Sequence, residues 1–518
     1  MVQTVVTLVS ARAAAIVDDR LDGRALCRRL SDVTDELLTG LYADAGGRSR
    51  PRRGVAALLA VGGYGRRELA PFSDVDVVLV HERTKGLDIE ELARALWYPL
   101  WDAGVQLGHA VRTTRDQLDL AGDDLDTATA LLSARWLAGD EELAARLANE
   151  ARTLWRRNGR RWLDRLRSRV LERRAHAGDV AYLLEPDLKD AHGGLRDVHT
   201  LWWAAAADLV MPADDRITLD RCYGELLDVR VALHREARRP GEVLRLEDQD
   251  AVARRLGRPD ADVLMAEVAA AARTIAWIED EAWRHVGRHQ VGHEERVAPG
   301  VVVVDREVSL SAQADGHTDP TLVLRAARVA AQRDLRLSRS ALDRLAEEVD
   351  PAVWATAWPD GALDELVALL RQGHRAIDVF EALDQRGLLV RLLPEWEPTR
   401  SRPQRNAYHR FTVDRHLWEA AANAAVLADR VERPDLLVLA ALFHDLGKGY
   451  PGDHTDAGVV VVAEVAPALG FSAEDSATLV DLVRHHLLLP DTATRRDLDD
   501  PATAAAVAEA VRTAEYLD

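Results

Sequence analysis

Most of this chain carries its apolar residues at helical spacing, and the few places where that rhythm breaks are the informative ones. Residues 1 to about 50 are rich in Ala, Leu and Arg at helical intervals, and Gly46-Gly47-Arg48-Ser49-Arg50-Pro51 reads as a linker. Val55-Ala56-Ala57-Leu58-Leu59-Ala60-Val61 is short and continuously apolar, the pattern of a buried strand, and it stops at Gly62-Gly63. Val75, Val77 and Val78 mark a second strand, a helix is predicted near 87–103, and a short strand follows around Val105–Val111. Asp124-Leu125-Asp126-Thr127-Ala128-Thr129 precedes another helical run. From 140 to 290 the pattern is almost wholly helical. The β-branched run Val301-Val302-Val303-Val304 predicts a small strand before more helices up to about 395. Leu436 to Phe443 is a last apolar helix, opened by Pro434-Asp435 as a helix start should be.

At 518 residues the chain has room for three or four domains, and 47% apolar residues supply sizeable cores. No uninterrupted apolar stretch is long enough to span a bilayer, and Arg12 interrupts the apolar patch at the N-terminus, so neither a membrane span nor a signal peptide is expected. Cys27 and Cys222 are the only cysteines, too few for a disulfide framework, and the expected location is the cytoplasm. The net charge of −19 disfavours a long nucleic acid as substrate, because gripping one requires a basic surface that displaces counter-ions. The cluster Arg156-Arg157 and Arg160-Arg161 reads as a solvated helix face. Of the 67 basic residues only Lys85, Lys189 and Lys448 are lysines. A compact, mobile ammonium differs physically from a planar guanidinium, and two of the three fall inside the motifs below.

The first candidate site is Gly62-Gly63-Tyr64-Gly65-Arg66-Arg67-Glu68-Leu69 followed by Pro71-Phe72-Ser73-Asp74-Val75-Asp76. Residues i and i+2 of a strand share a face, so Asp74 and Asp76 are placed to hold divalent metal together. Glycines at 62 and 63 let backbone N–H groups approach a triphosphate, with Arg66 and Ser73 as further nucleotide contacts. Magnesium on the carboxylates would activate the attacking oxygen and neutralise a leaving pyrophosphate. A Gly turn or an Asp-x-Asp alone is commonly structural. The ordered combination across strand, turn and strand is far more specific. Asp124-Leu125-Asp126 could add a third carboxylate.

The second candidate lies at the end of the last apolar helix, in His444-Asp445-Leu446-Gly447-Lys448-Gly449. Imidazole and carboxylate suit a hydrolytic divalent metal. His416, His454, His485 and His486 surround the pair in sequence. Any one of these histidines is by itself more often a core or surface residue. Their joint spacing points to a metal-dependent phosphodiester hydrolase, in which Lys448 could hold a phosphate oxygen.

These motifs resemble, over nearly the full chain and in matching order, the family of the bifunctional uridylyltransferase/uridylyl-removing enzyme that modifies the PII nitrogen-signalling protein. GGYGRRELAPFSDVD is similar to that family's nucleotidyl transferase signature. LEPDLKDAHGGLRDVHTLWW, from Leu184 to Trp203, is similar to the segment that most distinguishes it. LLPEWEPTRSRPQRNAYHRFTVDRH and HDLGKGYPGDHTDAG resemble its HD phosphohydrolase region. The resemblance implies a mostly α, multidomain fold: a helical segment at 1–50, an α+β nucleotidyltransferase domain of polymerase-β-like type at 51–140, and a helical domain at 141–290. A mostly helical connecting region at 291–400 and an all-α HD domain at 401–518 complete it. It implies transfer of a nucleotidyl group from UTP to a tyrosine of PII, with Asp74 and Asp76 holding Mg2+ and Asp124 as the third acidic position, Asp126 being the fallback. It implies removal of that group at a divalent ion (Mn2+, Mg2+ or Fe2+) held by His416, His444, Asp445, His454, His485 and His486. Gly193-Gly194-Leu195-Arg196-Asp197 would join the helical region to the transferase face, with Arg196 either touching nucleotide or PII or forming an Arg–Asp pair.

Two departures accompany the resemblance. The family continues past the position of Ala514-Glu515-Tyr516-Leu517-Asp518 with a helix carrying a metal-binding aspartate and two glutamine-sensing ACT domains. The expectation is therefore a truncated HD domain with an impaired metal shell and no assignable glutamine control. Relatives in GC-rich bacteria include adenylylating enzymes, and nothing in the Gly62–Asp76 motif reads a base, so ATP stays open beside UTP. A tRNA-end-adding nucleotidyl transferase also joins these two domain types, although the acidic charge and the Glu185–Asp197 segment weigh against it. A nucleotide-sensing regulator without turnover is the non-enzymatic reading, against which the complete Asp74/Asp76 pair weighs.

Overall fold

The structure is a computed structural model that describes residues 2–46, 56–82, 88–286, 292–405, 410–511 and 514–517. Apart from Gly46, the linker expected at 46–51 lies outside the described residues, as do residues 406–409 of the segment leading to the second site. The chain forms two compact units, residues 1–287 and 288–518. Most described residues are helical, with two small mixed sheets, so the fold is mostly α and multidomain. Among the described residues no helix is long and apolar enough to cross a membrane.

In the first unit, the helices Val2–Val17 and Gly23–Gly46 precede a four-stranded sheet of β1 (Ala56–Ala60), β2 (Val75–His81), β3 (Leu107–Thr113) and β4 (Arg135–Gly139) in the order β3-β2-β1-β4. β1 is buried along its whole length, which is why its sequence does not alternate. β2 runs antiparallel to β1 and parallel to β3, in a register that sets Asp76 opposite Gly108. Parallel neighbours need a crossover, and the helix Ile89–Asp102 supplies it, buried along Leu92, Ala93, Leu96, Trp97 and Leu100. One face of the sheet (Ala57, Leu59, Val78, Val80) shares a core with Leu143, Leu147, Trp155 and Trp162 of the following helices. Trp155 and Trp162 stack with ring centres 5.1 Å apart. The helices Leu195–Ala206, Ala213–Ala237 and Ala261–His285 complete the unit.

The second unit contains β5 (Glu294–Ala298), β6 (Val301–Val304), β7 (Glu307–Leu310) and β8 (Arg336–Leu337), in that order across one sheet. The sequence predicted only β6 of the four. Helices follow, and Val413–Ala425, Pro434–Phe443, His454–Leu469 and Ala473–Arg484 carry the second site. Trp418 packs between Phe380 and Trp396, with both ring centres 6.0 Å from its own.

Candidate active sites

The first site is a cavity of about 430 Å³ at the end of β1 and β2. The turn after β1 is locked to β2 by the Val61 N–H, which donates to the Asp76 carbonyl at 3.0 Å. Gly62 adopts φ +60°, and a Cβ there would stand 3.3 Å from Asp76 Oδ2. Gly65 passes so close to the chain that a Cβ would meet the Ser133 carbonyl oxygen at 2.1 Å. Tyr64 is buried and donates its hydroxyl hydrogen to Asp35 at 2.6 Å, which ties the turn to the helix Gly23–Gly46. Phe72 takes the left-handed conformation (φ 61°), rare for a bulky residue, beside the Pro71 carbonyl that accepts from the His234 ring.

Gly62, Gly63, Arg66, Ser73, Asp74 and Asp76 all line this cavity. Asp74 is exposed just ahead of β2, and Asp76 is half-buried on it. Burial, and then the neighbouring charge of Asp74, raises Asp76 to about 6, against an opposing pull from Lys189. Gly108 had no signal in the sequence reading. A Cβ on it would lie 2.1 Å from Asp76 Oδ1, so this glycine on the adjacent strand is the cradle that gives the carboxylate its room. The register across a parallel pair is the signal that could have found it.

The structure separates the two candidates for a third carboxylate. Asp124 is the N-cap of the helix Leu125–Leu132, accepting from the Thr127 N–H at 2.7 Å, and it does not line the cavity. Asp126, the fallback, does line it, although its carboxylate also reaches Arg169 at 3.3 Å. The helical part of the unit supplies the opposite wall: Lys189, Leu195, Arg196, His199, Trp203, Tyr223, Arg230 and Glu242. Arg196 reaches Asp190 at 3.3 Å, while Asp197 is buried against Arg173 and accepts from the Gly193 N–H, so Arg196 and Asp197 do not form a pair with each other. Arg66 is tied to Glu68 at 2.7 Å and lies 3.1 Å from His199 Nε2. Burial, followed by the charges of Arg66, Arg196, Arg230 and Lys189, holds the His199 imidazole far below its ordinary pKa. Three cations of this wall, Lys189, Arg196 and Arg230, thus share the cavity with Arg66 of the turn and with the carboxylates of Asp74 and Asp76.

The second site gathers His416, His444, Asp445, His454 and His486. Asp445 is buried at its centre, with Oδ2 3.1 Å from His444 Nε2 and 3.3 Å from His416 Nε2, and Oδ1 3.6 Å from His486 Nε2. His444 and His486 each donate Nδ1–H to a carbonyl three residues back, at 2.9 and 2.7 Å. That bond fixes the tautomer and turns the Nε2 lone pair inward, as a metal-ligating imidazole requires. Asp445 Oδ1 and His486 Nε2 are buried without a hydrogen-bond partner. Lone pairs converging on one point and left unsatisfied there are what a divalent cation would complete. Burial raises the Asp445 carboxyl, but its close contacts with His416 and His444 and the charge of Lys448 outweigh it and hold it well below the carboxylate range.

Two of the candidate residues stand differently from the rest. His485 belongs to neither metal-holding group, because it caps the helix Ala473–Arg484 while its neighbour His486 turns inward. Lys448 lies 2.6 Å from Asp445 Oδ2 and donates to Gln404 at 2.7 Å. A residue the sequence reading passed over is Gly447. A Cβ there would come 1.9 Å from the His454 carbonyl oxygen and 2.4 Å from the Gly458 nitrogen, so only glycine lets the helix His454–Leu469 bring His454 to the centre.

Two protein-family models match the chain: GlnD PII-uridylyltransferase over residues 161–283 and the HD domain over residues 413–514. Bifunctional uridylyltransferase/uridylyl-removing enzymes are similar over most of it. The one from Streptomyces coelicolor is 45% identical over 98% of this chain and 62% of its own length. That from Mycobacterium tuberculosis is 42% identical over 88% of this chain and 58% of its own length. That from Corynebacterium glutamicum is 32% identical over 88% of this chain and 66% of its own length. The chain thus spans about 60% of the length of the first two relatives.

Proposed function

Because the chain belongs to the bifunctional uridylyltransferase/uridylyl-removing enzyme family, we propose that it both attaches UMP to a tyrosine of PII signalling protein and removes it again. The observation that carries this reading is the presence, in one chain, of a paired-carboxylate cavity walled by cations and a separate histidine–aspartate centre with orphaned ligand atoms.

In the transfer reaction the tyrosine oxygen bonds to the α-phosphorus of UTP as the bond to the β-phosphate bridging oxygen breaks. Asp74 and Asp76 are the residues to hold Mg2+, with Asp126 rather than Asp124 as the nearby acidic group. Magnesium bound there supplies charge neutralisation for the triphosphate and acidity for the attacking hydroxyl. The Gly62-Gly63 turn and Ser73 lie where a phosphate chain would run. Arg66, clamped by Glu68 and His199, presents a fixed positive charge, which costs no reorganisation during the reaction.

In removal, a water oxygen attacks the same phosphorus from the side opposite the tyrosine oxygen, which leaves with UMP freed. His416, His444, Asp445, His454 and His486 are the residues to hold a divalent ion, which when bound supplies Lewis acidity to the phosphodiester. Lys448 keeps Asp445 ionised and oriented.

The test is incorporation of α-labelled UTP or ATP into purified PII with Mg2+, for wild type, Asp76→Asn and His444→Ala. Label from UTP is expected with wild type, none with D76N, and undiminished label with slowed removal for H444A. Label from ATP alone would reassign the nucleotide. No label from either would sink the PII reading.

A further inference from the structure

The segment Leu184–Arg196 is mostly irregular, yet its backbone is closely held. Leu188 N–H donates to the Glu242 carbonyl at 2.8 Å, Leu195 N–H to the Leu188 carbonyl at 3.0 Å, and Arg196 N–H to the Lys189 carbonyl at 2.9 Å. Asp187 Oδ1 accepts from the N–H groups of Lys189 and Asp190 at 2.9 and 2.7 Å. Gly194 closes the loop so tightly that a Cβ would lie 2.8 Å from the carbonyl oxygens of Ala191 and Lys189. A loop fixed in this way aims whatever side chain it carries at the cavity, and it carries Lys189.

The Lys189 ammonium is lightly engaged for a group with three donors. Its contact with Glu242 Oε1 is 3.3 Å, long for a charge-assisted bond. Glu242 is held by Arg230 through two bonds of 2.6 Å, so one carboxylate serves two cations. The positive charge left over shares the cavity with Asp76, whose carboxyl it pulls down against burial.

Resting on the function proposed above, we propose that Lys189 receives the β- and γ-phosphates of the nucleoside triphosphate and stays with them as they leave as pyrophosphate. Glu242 is the counter-ion that the ammonium gives up when the triphosphate arrives. As the bond between the α-phosphorus and the bridging oxygen breaks, its electron pair goes to pyrophosphate, and negative charge grows beside a cation already in place. The segment that sets this family apart would then have a chemical task, which is to carry a phosphate-binding cation from the helical part of the unit into the transferase cavity.

The experiment is calorimetric titration of the full chain with UTP and with UMP, in Mg2+ and without acceptor, for wild type, Lys189→Met and Lys189→Arg. K189M keeps the aliphatic stem and removes the charge. It should weaken UTP roughly 10- to 100-fold and UMP less than about threefold, the loss expected when a charge-assisted contact is deleted. K189R should recover most of the UTP affinity. Equal weakening of UTP and UMP, or a UTP affinity unchanged in K189M, overturns the proposal. A wild type that holds UTP while K189M holds it equally well overturns this inference alone; a wild type that holds neither nucleotide overturns the transferase reading with it.

Discussion

At the residue scale, the first cavity is governed by what is missing from Gly108 as much as by what Asp76 carries. A methyl group at 108 would stand 2.1 Å from Asp76 Oδ1, so the carboxylate would have to turn away. Gly108→Ala should therefore cut transfer about 100-fold, the scale of loss for misplacing a reacting group by an ångström, while leaving removal at the second centre unchanged. Parallel assays of the two half-reactions decide it, and unimpaired transfer would show that Asp76 does not act from its present position. Glu242 gives a pH signature. Burial pushes its carboxyl up, but hydrogen bonding and charge from Arg230, followed by the charge of Lys189, pull it down to about 2. A carboxyl depressed on folding stabilises fully above its ordinary value of 4.5, and the benefit drains away as pH falls from there towards 2. Glu242→Gln should cost on the order of 3 kcal/mol near neutrality, and the gap to wild type should narrow below pH 4.5. Urea unfolding at several pH values measures it, and a gap independent of pH would remove the ion pair from the account.

At the element scale, the strand–turn–strand frame and the helix leading to His444-Asp445 could be read from apolar rhythm, because β1 is buried along its whole length and the helix Pro434–Phe443 buries Leu436, Val438, Leu439, Leu442 and Phe443. The second sheet could not. β5 is largely exposed and β8 is two residues long, so neither leaves a pattern, and only the valines of β6 announce themselves. The candidates that fall outside the two clusters share a feature, since Asp124 and His485 are each one of two similar residues near a helix end. Asp124 and Asp126 are an N-cap and a first-turn residue, and the cap side chain bends back to its own helix. His485 is the C-cap of the helix Ala473–Arg484 and His486 lies in the turn just beyond it, and of the two His486 is grouped with Asp445. Gly447 shows what pattern reading omits: contact between elements distant in sequence. Gly447→Ala should push the helix His454–Leu469 off the centre and abolish removal, with transfer retained. Far-ultraviolet spectra and the two assays together check this, and full removal activity in the variant would contradict the packing.

At the scale of the whole molecule, the two candidate centres lie in different compact units. The orphaned Asp445 Oδ1 and His486 Nε2 predict that the second unit responds to added metal. Mn2+ at 100 times its dissociation constant should stabilise it by about 2.7 kcal/mol, and His444→Ala should erase that gain. Calorimetric unfolding with and without the ion is the measurement, and an unshifted transition would speak against a metal centre. A chain with only three lysines adds a consequence of another kind. Lys189 stands in one centre and Lys448 in the other, so amine-directed modification, such as acetylation, finds two of its three side-chain targets where chemistry is done. On the function proposed above, acylation at 189 should lower attachment and acylation at 448 should lower removal, although both ammonium groups are half-buried in ion pairs. A covalent signal of that kind would pass over the arginines that make up nearly all the other cationic side chains.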